Sequence, residues 1–530
     1  MDSEEEGQDG QNEQDVVVIG GGPAGLALAV GLRTHGAGVT VVEREPSVKQ
    51  EGRASVVWQR ALETLRDLGC AERFASEGLP QRRAECYVRG RRIGTYDMGV
   101  PGTAFPHPLS IEQHATERLL AQRLAELGGD VRWGHDALAV RVGGEGAEVD
   151  VRGPDGRVAT LRCRWVVGCE GAHSLVRRTL GIPFEGRARA DLQAVQINAA
   201  ADWRFPYAED VTYMFYEQRV CLIASPRPGG GYRFFAFLTD PRPEETGPPG
   251  VEAMRALVAG AARDPAARLT PTAPRWVSRA RFQDRLAATL RAGRALLVGD
   301  SAHLWAPVGG HGLNTGLLGA HNLGWKLGAV VRGRAHETLL DTYAHEQRRT
   351  ARQVMRHMRW NVLELPPSSL TLTAMRLLGP AVLASARAAD RERAVLSDLA
   401  RNHRGSELCA EVPGSGGPRA GDRLPDLPVT GGARHVALHE LFSYERLTLL
   451  LCPEGDTEPS ADLAAVRAVT GRFAMPAEVC VVRPARERQR ELPPGTLLLV
   501  RPDGHIGLRA RTGDHGALER YLERWFVRTG

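Results

Sequence analysis

Compact apolar runs alternate with glycine-rich turns at the start of the chain. Asp15-Val16-Val17-Val18-Ile19 is apolar throughout after its first residue, the pattern of a strand covered on both faces of a parallel sheet. It runs into Gly20-Gly21-Gly22-Pro23-Ala24-Gly25, an apolar helix through Leu32, and a second such strand from Gly38 that ends at Glu43-Arg44, which predicts one βαβ unit. Leu119, Leu120, Leu124 and Leu127 predict a helix over 117–127, stopped by Gly128-Gly129. Strands are expected over 131–140, 146–153 and 158–168, with Pro154-Asp155-Gly156 as a turn between the last two.

From about 185 to 290 the helical period gives way to short strands near 192–199, 211–217, 220–225 and 232–238, and the aromatic residues gather there. That pattern predicts a mostly antiparallel sheet inserted into the α/β domain. The buried-strand pattern returns at Arg294–Asp300, followed by a glycine-rich stretch, a helix over 314–332 and further helices to about Leu399. Segment 411–428 has the composition of a linker, and 435–530 reads β-α-β-α-β-β-α, a separate small α/β unit.

Composition narrows the class. With 530 residues, 42% hydrophobic and 25% charged, the chain is neither disordered nor fibrous and has room for several domains. Residues 1–14 carry six acids and no base and read as a disordered tail, leaving an excess of eleven positive charges on the rest. Arg89-Gly90-Arg91-Arg92, and Arg348, Arg352, Arg356 and Arg359 at helical spacing, read as solvated faces, so no nucleic-acid partner is expected. No apolar run reaches the ~18 residues of a membrane helix, and the N-terminus does not resemble a signal peptide. The eight cysteines are scattered without CxxC or metal-ligand spacing, so a cytoplasmic protein with no metal is expected.

The first glycine cluster carries chemistry because of its setting. Gly20 permits a tight turn, Gly22 lets backbone approach a pyrophosphate, and Gly25 allows close helix–sheet packing. The helix N-terminus offers N–H groups to phosphates, and Glu43 at the end of the next strand suits ribose hydroxyls while disfavouring a 2′-phosphate. This fingerprint alone does not separate FAD from NAD.

Two later stretches do. Gly168-Cys169-Glu170-Gly171-Ala172-His173-Ser174-Leu175-Val176-Arg177 resembles the DG motif of the group A flavoprotein aromatic hydroxylases, with Glu170 in place of the usual Asp. Gly299-Asp300-Ser301-Ala302-His303-Leu304-Trp305-Ala306-Pro307-Val308-Gly309-Gly310-His311-Gly312-Leu313-Asn314 closely resembles their GD motif. The last 100 residues, with Arg501-Pro502-Asp503-Gly504-His505, look like the thioredoxin-like extension of the phenol hydroxylase and aromatic polyketide hydroxylase branch. That domain lacks CxxC, so redox chemistry of the thioredoxin kind is excluded there.

The resemblance implies a fold, an activity and residue roles. The fold would be a Rossmann-like FAD-binding domain over 15–184 and 291–400, a substrate-binding sheet over 185–290 to which 84–110 contribute, and a thioredoxin-like domain over 429–530. Asp300 would bond the ribityl chain of FAD; Pro307, Gly310 and Gly312 would set bare backbone against the flavin ring; Leu313 and Asn314 N–H groups would stabilise negative charge on the reduced ring. Arg53 would reach the pyrophosphate, Arg44 would stack near the adenine, and Gln113 would touch the cofactor. Glu170, Gly171, Ser174 and Arg177 would serve both FAD and the nicotinamide. Trp305, Pro307 and His311 are the catalytic candidates, and Tyr213, Phe215, Tyr232, Phe234 and Phe237 the candidate substrate walls. The implied reaction is hydroxylation of a phenolic or polycyclic aromatic polyketide through a flavin hydroperoxide, using molecular oxygen and NADPH or NADH, by an enzyme expected to be a homodimer. Baeyer–Villiger insertion, epoxidation, ring rearrangement and a non-catalytic role in binding flavin or an aromatic ligand stay open at this stage.

Overall fold

The structure, a computed structural model, describes residues 13–49, 56–239, 245–273, 276–358, 366–412, 417–431, 434–455 and 459–530. Its first sheet has eight strands, and the strand Glu13–Ile19 lies parallel between Val39–Glu43 and Val158–Gly168. Val16, Val17 and Val18 are fully buried, as a strand with helices on both faces requires. The strand begins two residues earlier than the apolar run, because Glu13 and Gln14 pair with Arg162 and Cys163 of a longer neighbour. The stretch 131–140 breaks into Asp130–Trp133 and Asp136–Val142 around Gly134, whose φ of +72° turns the chain.

Helix Pro23–Thr34 packs on the long helix His311–Val331. Their contact is close because glycine faces glycine: a Cβ on Gly31 would lie 3.5 Å from the Cα of Gly324. Three helices carried no clear signal in the sequence, Gln59–Asp67, Ala71–Glu77 and Val251–Ala262.

The second sheet has nine strands, with Arg83–Val88 and Arg91–Asp97 at one edge and the 19-residue strand Phe184–Asp202 in its interior. Successive side chains on a strand point to opposite faces. Met214, Tyr216 and Phe237 therefore share one apolar cluster with Trp58, Trp305, Ala306 and Val308. Tyr213, Phe215, Tyr232 and Phe234 fill the other face, against Phe205 and against Met254 and Val258 of helix Val251–Ala262.

The C-terminal unit is a seven-stranded mixed sheet with helices Ser460–Thr470 and His515–Trp525. Residues of the expected linker are packed rather than free: Ala420 and Leu424 are core, and buried Arg423 bonds Glu63 of the first domain. Glycine and proline content suggests a linker, but composition is blind to one arginine with a partner 360 positions away. All eight cysteines are free thiols, and no helix among the described residues is long and apolar enough to cross a membrane.

Candidate active site

Three neighbouring parallel strands end at the same edge, since Ile19 pairs with Gly168 and Gly168 with Leu297. The glycine-rich loop, the DG stretch and the GD stretch thus leave the sheet side by side, at the crevice where open α/β sheets bind ligands. Gly299, beside Asp300, lies against the first turn of helix Pro23–Thr34, and its added Cβ would sit 3.1 Å from Ala24 Cβ. Asp300 itself is exposed on this edge.

The glycines divide into two kinds. A Cβ at Gly20 (φ +108°) would lie 2.4 Å from the Cys169 carbonyl oxygen, and one at Gly25 would lie 2.0 Å from the Gly20 oxygen. Both are demanded by the chain's own packing. Gly22, Gly171 and Gly312 would meet nothing within 4 Å, so their bare backbone faces open space. Helices Pro23–Thr34 and His311–Val331 both start at glycine without a side-chain cap, which leaves their first N–H groups to a ligand. Glu43 stands at this loop, accepting from Gly21 N at 2.6 Å and from Glu45 N at 2.9 Å.

Glu170 ties the loops together. Its carboxylate accepts from Ser174 Oγ (2.8 Å), Val176 N (3.0 Å) and Ser301 Oγ (3.2 Å), while Gly171 N donates to Ser301 Oγ at 3.0 Å. Arg177 donates to Ser301 O (2.9 Å) and Ala172 O (2.7 Å). The acid thus takes up the Val176 N–H of helix Leu175–Thr179, whose N-cap is Ser174, and ties that helix to Ser301 of the GD loop. Gln113 donates to Glu117 at 2.8 Å, Arg44 is exposed beside Glu45, and Arg53 lies outside the described residues.

The stretch from Pro307 to Asn314 is braced by Trp58. Trp58 Nε1 donates to Gly309 O at 2.6 Å, and Trp58 N donates to Asn314 Oδ1 at 2.8 Å. Asn314 Nδ2 donates to Val56 O and Gly310 O, so its side chain sets the shape of the loop. Gly309 and Gly310 have φ of +73° and +64°, a left-handed path that glycine takes without strain.

Trp305 stacks on His303 at 4.7 Å between ring centres. Burial, and then Arg401, lower the His303 pKa from 6.5 to about 3. Native His303 is therefore neutral, whereas the unfolded chain protonates it below pH 6.5, so its contribution is lost as pH falls from there toward 3. We expect acidification to pH 5 to remove about 2 kcal/mol at this residue. Urea unfolding of wild type and His303→Asn near pH 7 and pH 5 checks it: the variant should show a shallower loss on acidification.

Of the candidate substrate walls, Phe237 alone lies on the face shared with Trp305. Tyr213, Phe215, Tyr232 and Phe234 are taken up by the reverse-face core, with Trp203 within 6 Å of each ring centre. Adjacent residues on a strand face opposite ways, so grouping the aromatics by sequence mixed two surfaces. Met214, Tyr216 and Phe235, which the sequence reading did not single out, share the face of Phe237 and Trp305.

The family comparisons agree with this geometry. A model for an FAD-binding domain matches residues 13–358, and one for the C-terminal region of aromatic-ring hydroxylases matches 417–529. The chain belongs to the FAD-dependent aromatic-ring hydroxylases, the group A flavoprotein monooxygenases. It is similar to 12-dehydrotetracycline 5-monooxygenase/anhydrotetracycline 6-monooxygenase of Streptomyces rimosus subsp. rimosus, at 34% identity over 97% of this chain and 98% of that protein. Its fold is similar to that of an anhydrotetracycline hydroxylase from Streptomyces rimosus (TM-score 0.75, 31% identity, 97% of this chain and 99% of that chain). It is similar too to an aklavinone-11 hydroxylase solved with FAD and aklavinone (TM-score 0.76, 25% identity, 96% and 98%).

The residues present fit FAD. Gly22 and the helix start offer room and N–H groups that suit a pyrophosphate, Glu43 offers a carboxylate at the same loop, and Gly312 leaves backbone open at the second helix start. Asp300→Ala should weaken FAD binding by ~1.5–3 kcal/mol, roughly 10- to 150-fold, because it removes the charged acceptor that the resemblance assigns to the ribityl chain. Fluorescence titration of the apoprotein with FAD measures this; unchanged affinity would remove Asp300 from the site.

Proposed function

We propose that this monooxygenase hydroxylates a phenolic, polycyclic aromatic polyketide in antibiotic biosynthesis, with NADPH or NADH as reductant and molecular oxygen as co-substrate. The observation that carries the reading is the single apolar face formed by Met214, Tyr216, Phe235 and Phe237 with Trp305 and Ala306, beside the glycine-rich start of helix His311–Val331. Bound FAD supplies the chemistry that accepts a hydride from the nicotinamide and passes one oxygen atom to the ring.

The protein's own residues bind, orient and exclude. Gly22 and the N–H groups of helix Pro23–Thr34 hold the pyrophosphate, Glu43 a ribose, and Asp300 the ribityl chain. N–H groups at the start of helix His311–Val331 face the flavin ring and favour negative charge there. The apolar face orients a flat aromatic substrate and keeps water from the reacting centre. The reading places the C-terminal unit with thioredoxin-like domains, and it includes a homodimer in the cytoplasm.

The visible spectrum of the purified protein tests it, taken before and after anaerobic NADPH with a panel of polycyclic phenols. Flavin bands that bleach faster with one phenol, and a product that gains one atom from labelled oxygen on the ring, are the expected results. Bands that never bleach with any phenol would overturn the monooxygenase reading, and oxygen inserted between ring carbons would replace hydroxylation by Baeyer–Villiger chemistry.

A further inference from the structure

One helix is apolar on its outside as well as its inside. Among the described residues seven large apolar side chains are exposed, and four of them, Leu370 (81%), Leu377 (73%), Leu378 (63%) and Val382 (55%), belong to helix Ser369–Ala384. Its inner stripe is accounted for. Leu372, Met375 and Leu383 join Ile93 and Tyr96 in the cluster that also holds Phe237 and Trp305, and a Cβ on Gly379 would lie 3.0 Å from Ile93 Cδ1. At about 100° per residue, Leu370, Ala374, Leu377, Leu378, Ala381 and Val382 fall within an outer arc of about 140°. Arg376, the one charged residue of the helix, falls outside that arc. Single apolar residues on a surface need no explanation, whereas a contiguous stripe marks a contact.

The stripe matches itself when reversed. Two copies laid antiparallel and crossing near Leu377 bring Leu370 of one against Val382 of the other, Ala374 against Leu378, and Leu377 beside its own mate. This is the self-complementarity that a twofold interface requires, and no charge lies in the arc to repel its own copy. A lipid surface fits less well. A helix lying on lipid carries lysines and arginines along a polar face, and here the face away from the stripe is packed on strand Arg91–Asp97.

We infer that helix Ser369–Ala384 is the core of an isologous dimer interface, paired antiparallel with the same helix of a second copy. The inference rests on the homodimer of the reading above and gives it a surface. The outward half of a 16-residue helix, about 24 Å long and ~10–12 Å across, offers on the order of 500 Å². The smallest specific interfaces bury about 600 Å² per partner and standard ones about 800 Å². The helix thus supplies most of a small interface, and the dimer dissociates on dilution.

Sedimentation velocity of the purified full-length protein over a wide range of concentration tests this. The wild type should be a dimer that dissociates at the dilute end. Leu377→Arg and Leu377→Glu should each raise the dissociation constant at least about tenfold, because each sets two like charges beside the twofold axis. Mixing the two variants should restore the dimer, since residue 377 of one copy meets residue 377 of the other. A wild type that is monomeric throughout overturns the homodimer and this surface together; if that monomer floats with phosphatidylcholine vesicles, the stripe belongs to lipid. A wild-type dimer left intact by both substitutions overturns the surface alone, and so do monomeric variants whose mixture stays monomeric. Circular dichroism checks the fold of each variant. If the position 377 variants do not fold, Leu370→Glu mixed with Val382→Arg decides in the same way, because those side chains meet across the pair.

Discussion

Replacing Glu346 by alanine is expected to lower the unfolding free energy by about 3–5 kcal/mol, because it leaves buried charges without their partner. Glu346 is 1% exposed on helix Leu339–Met358 and accepts from Lys326 Nζ (2.7 Å), Arg501 Nη1 (2.8 Å), Ser406 Oγ (2.7 Å) and Asn322 Nδ2 (2.9 Å). Burial alone would raise its pKa, but Arg501 and then Lys326 outweigh that and hold it well below the usual range. Lys326 is itself lowered from 10.5 to about 8 by burial, against the pull of Glu346. Asp503 closes the network, bonded to Arg501 and accepting from Asn322 Nδ2 (3.0 Å) and Trp325 Nε1 (3.1 Å). Without Glu346, Lys326 and Arg501 would face each other across the space it leaves, with Asp503 as the remaining acid of the group. The exposed pair Arg528–Glu523 is the control, and Glu523→Ala should change stability by less than about 0.5 kcal/mol. Urea titrations followed by circular dichroism compare the two; a Glu346→Ala loss as small as that of Glu523→Ala would mean the network contributes nothing net.

The network gives the C-terminal unit a role that its lack of CxxC leaves unexplained. Asn322, Trp325 and Lys326 are on the same helix whose first turn carries Gly312, Leu313 and Asn314; Asn322 and Trp325 donate to the C-terminal Asp503, and Lys326 is linked to the C-terminal Arg501 through Glu346. A second contact, Arg60 to the Asp503 carbonyl (2.5 Å) and Arg423 to Glu63 (2.8 Å), fixes helix Gln59–Asp67, whose N-cap is Trp58. The two elements that meet at Gly309 and Asn314 are thus both held from the C-terminal side.

How much of this the sequence disclosed depends on the range over which each signal acts. The valine run at 16–18, the glycine-rich loop and the DG and GD stretches were legible because a buried strand, a tight turn and a helix start are each specified within a few residues. Face assignment in the second sheet was not, since neighbouring aromatics such as Tyr213 and Phe215 differ from Met214 and Tyr216 only in parity, and the sequence does not say which parity faces the flavin. Arg501 was legible as part of a motif but its partner Glu346, 155 positions away, was not. Asp398 carried no signal, because its left-handed backbone and its pairing with His311 are properties of the assembled site.

The same division between local and assembled causes separates two substitutions that look alike. Gly25→Ala places a methyl 2.0 Å from the Gly20 carbonyl oxygen, a backbone atom with nowhere to move, so the strand–helix junction must open. A loss of several kcal/mol is expected, at or above the ~1–3 kcal/mol of ordinary overpacking, with little folded protein recovered. Gly22→Ala places its methyl in space where no atom of the protein lies within 4 Å. The apoprotein should fold with stability within about 0.5 kcal/mol of wild type, since nothing in the chain is displaced. Its affinity for FAD should fall at least about tenfold, on the order of 1.4 kcal/mol or more, because the methyl fills the space at the helix N–H groups that the resemblance assigns to the pyrophosphate. Thermal unfolding of the two apoproteins and FAD titration of Gly22→Ala measure both halves. A Gly22→Ala protein that binds FAD like wild type would place the pyrophosphate elsewhere on the sheet edge. One that fails to fold would mean that Gly22 serves the chain and not the ligand.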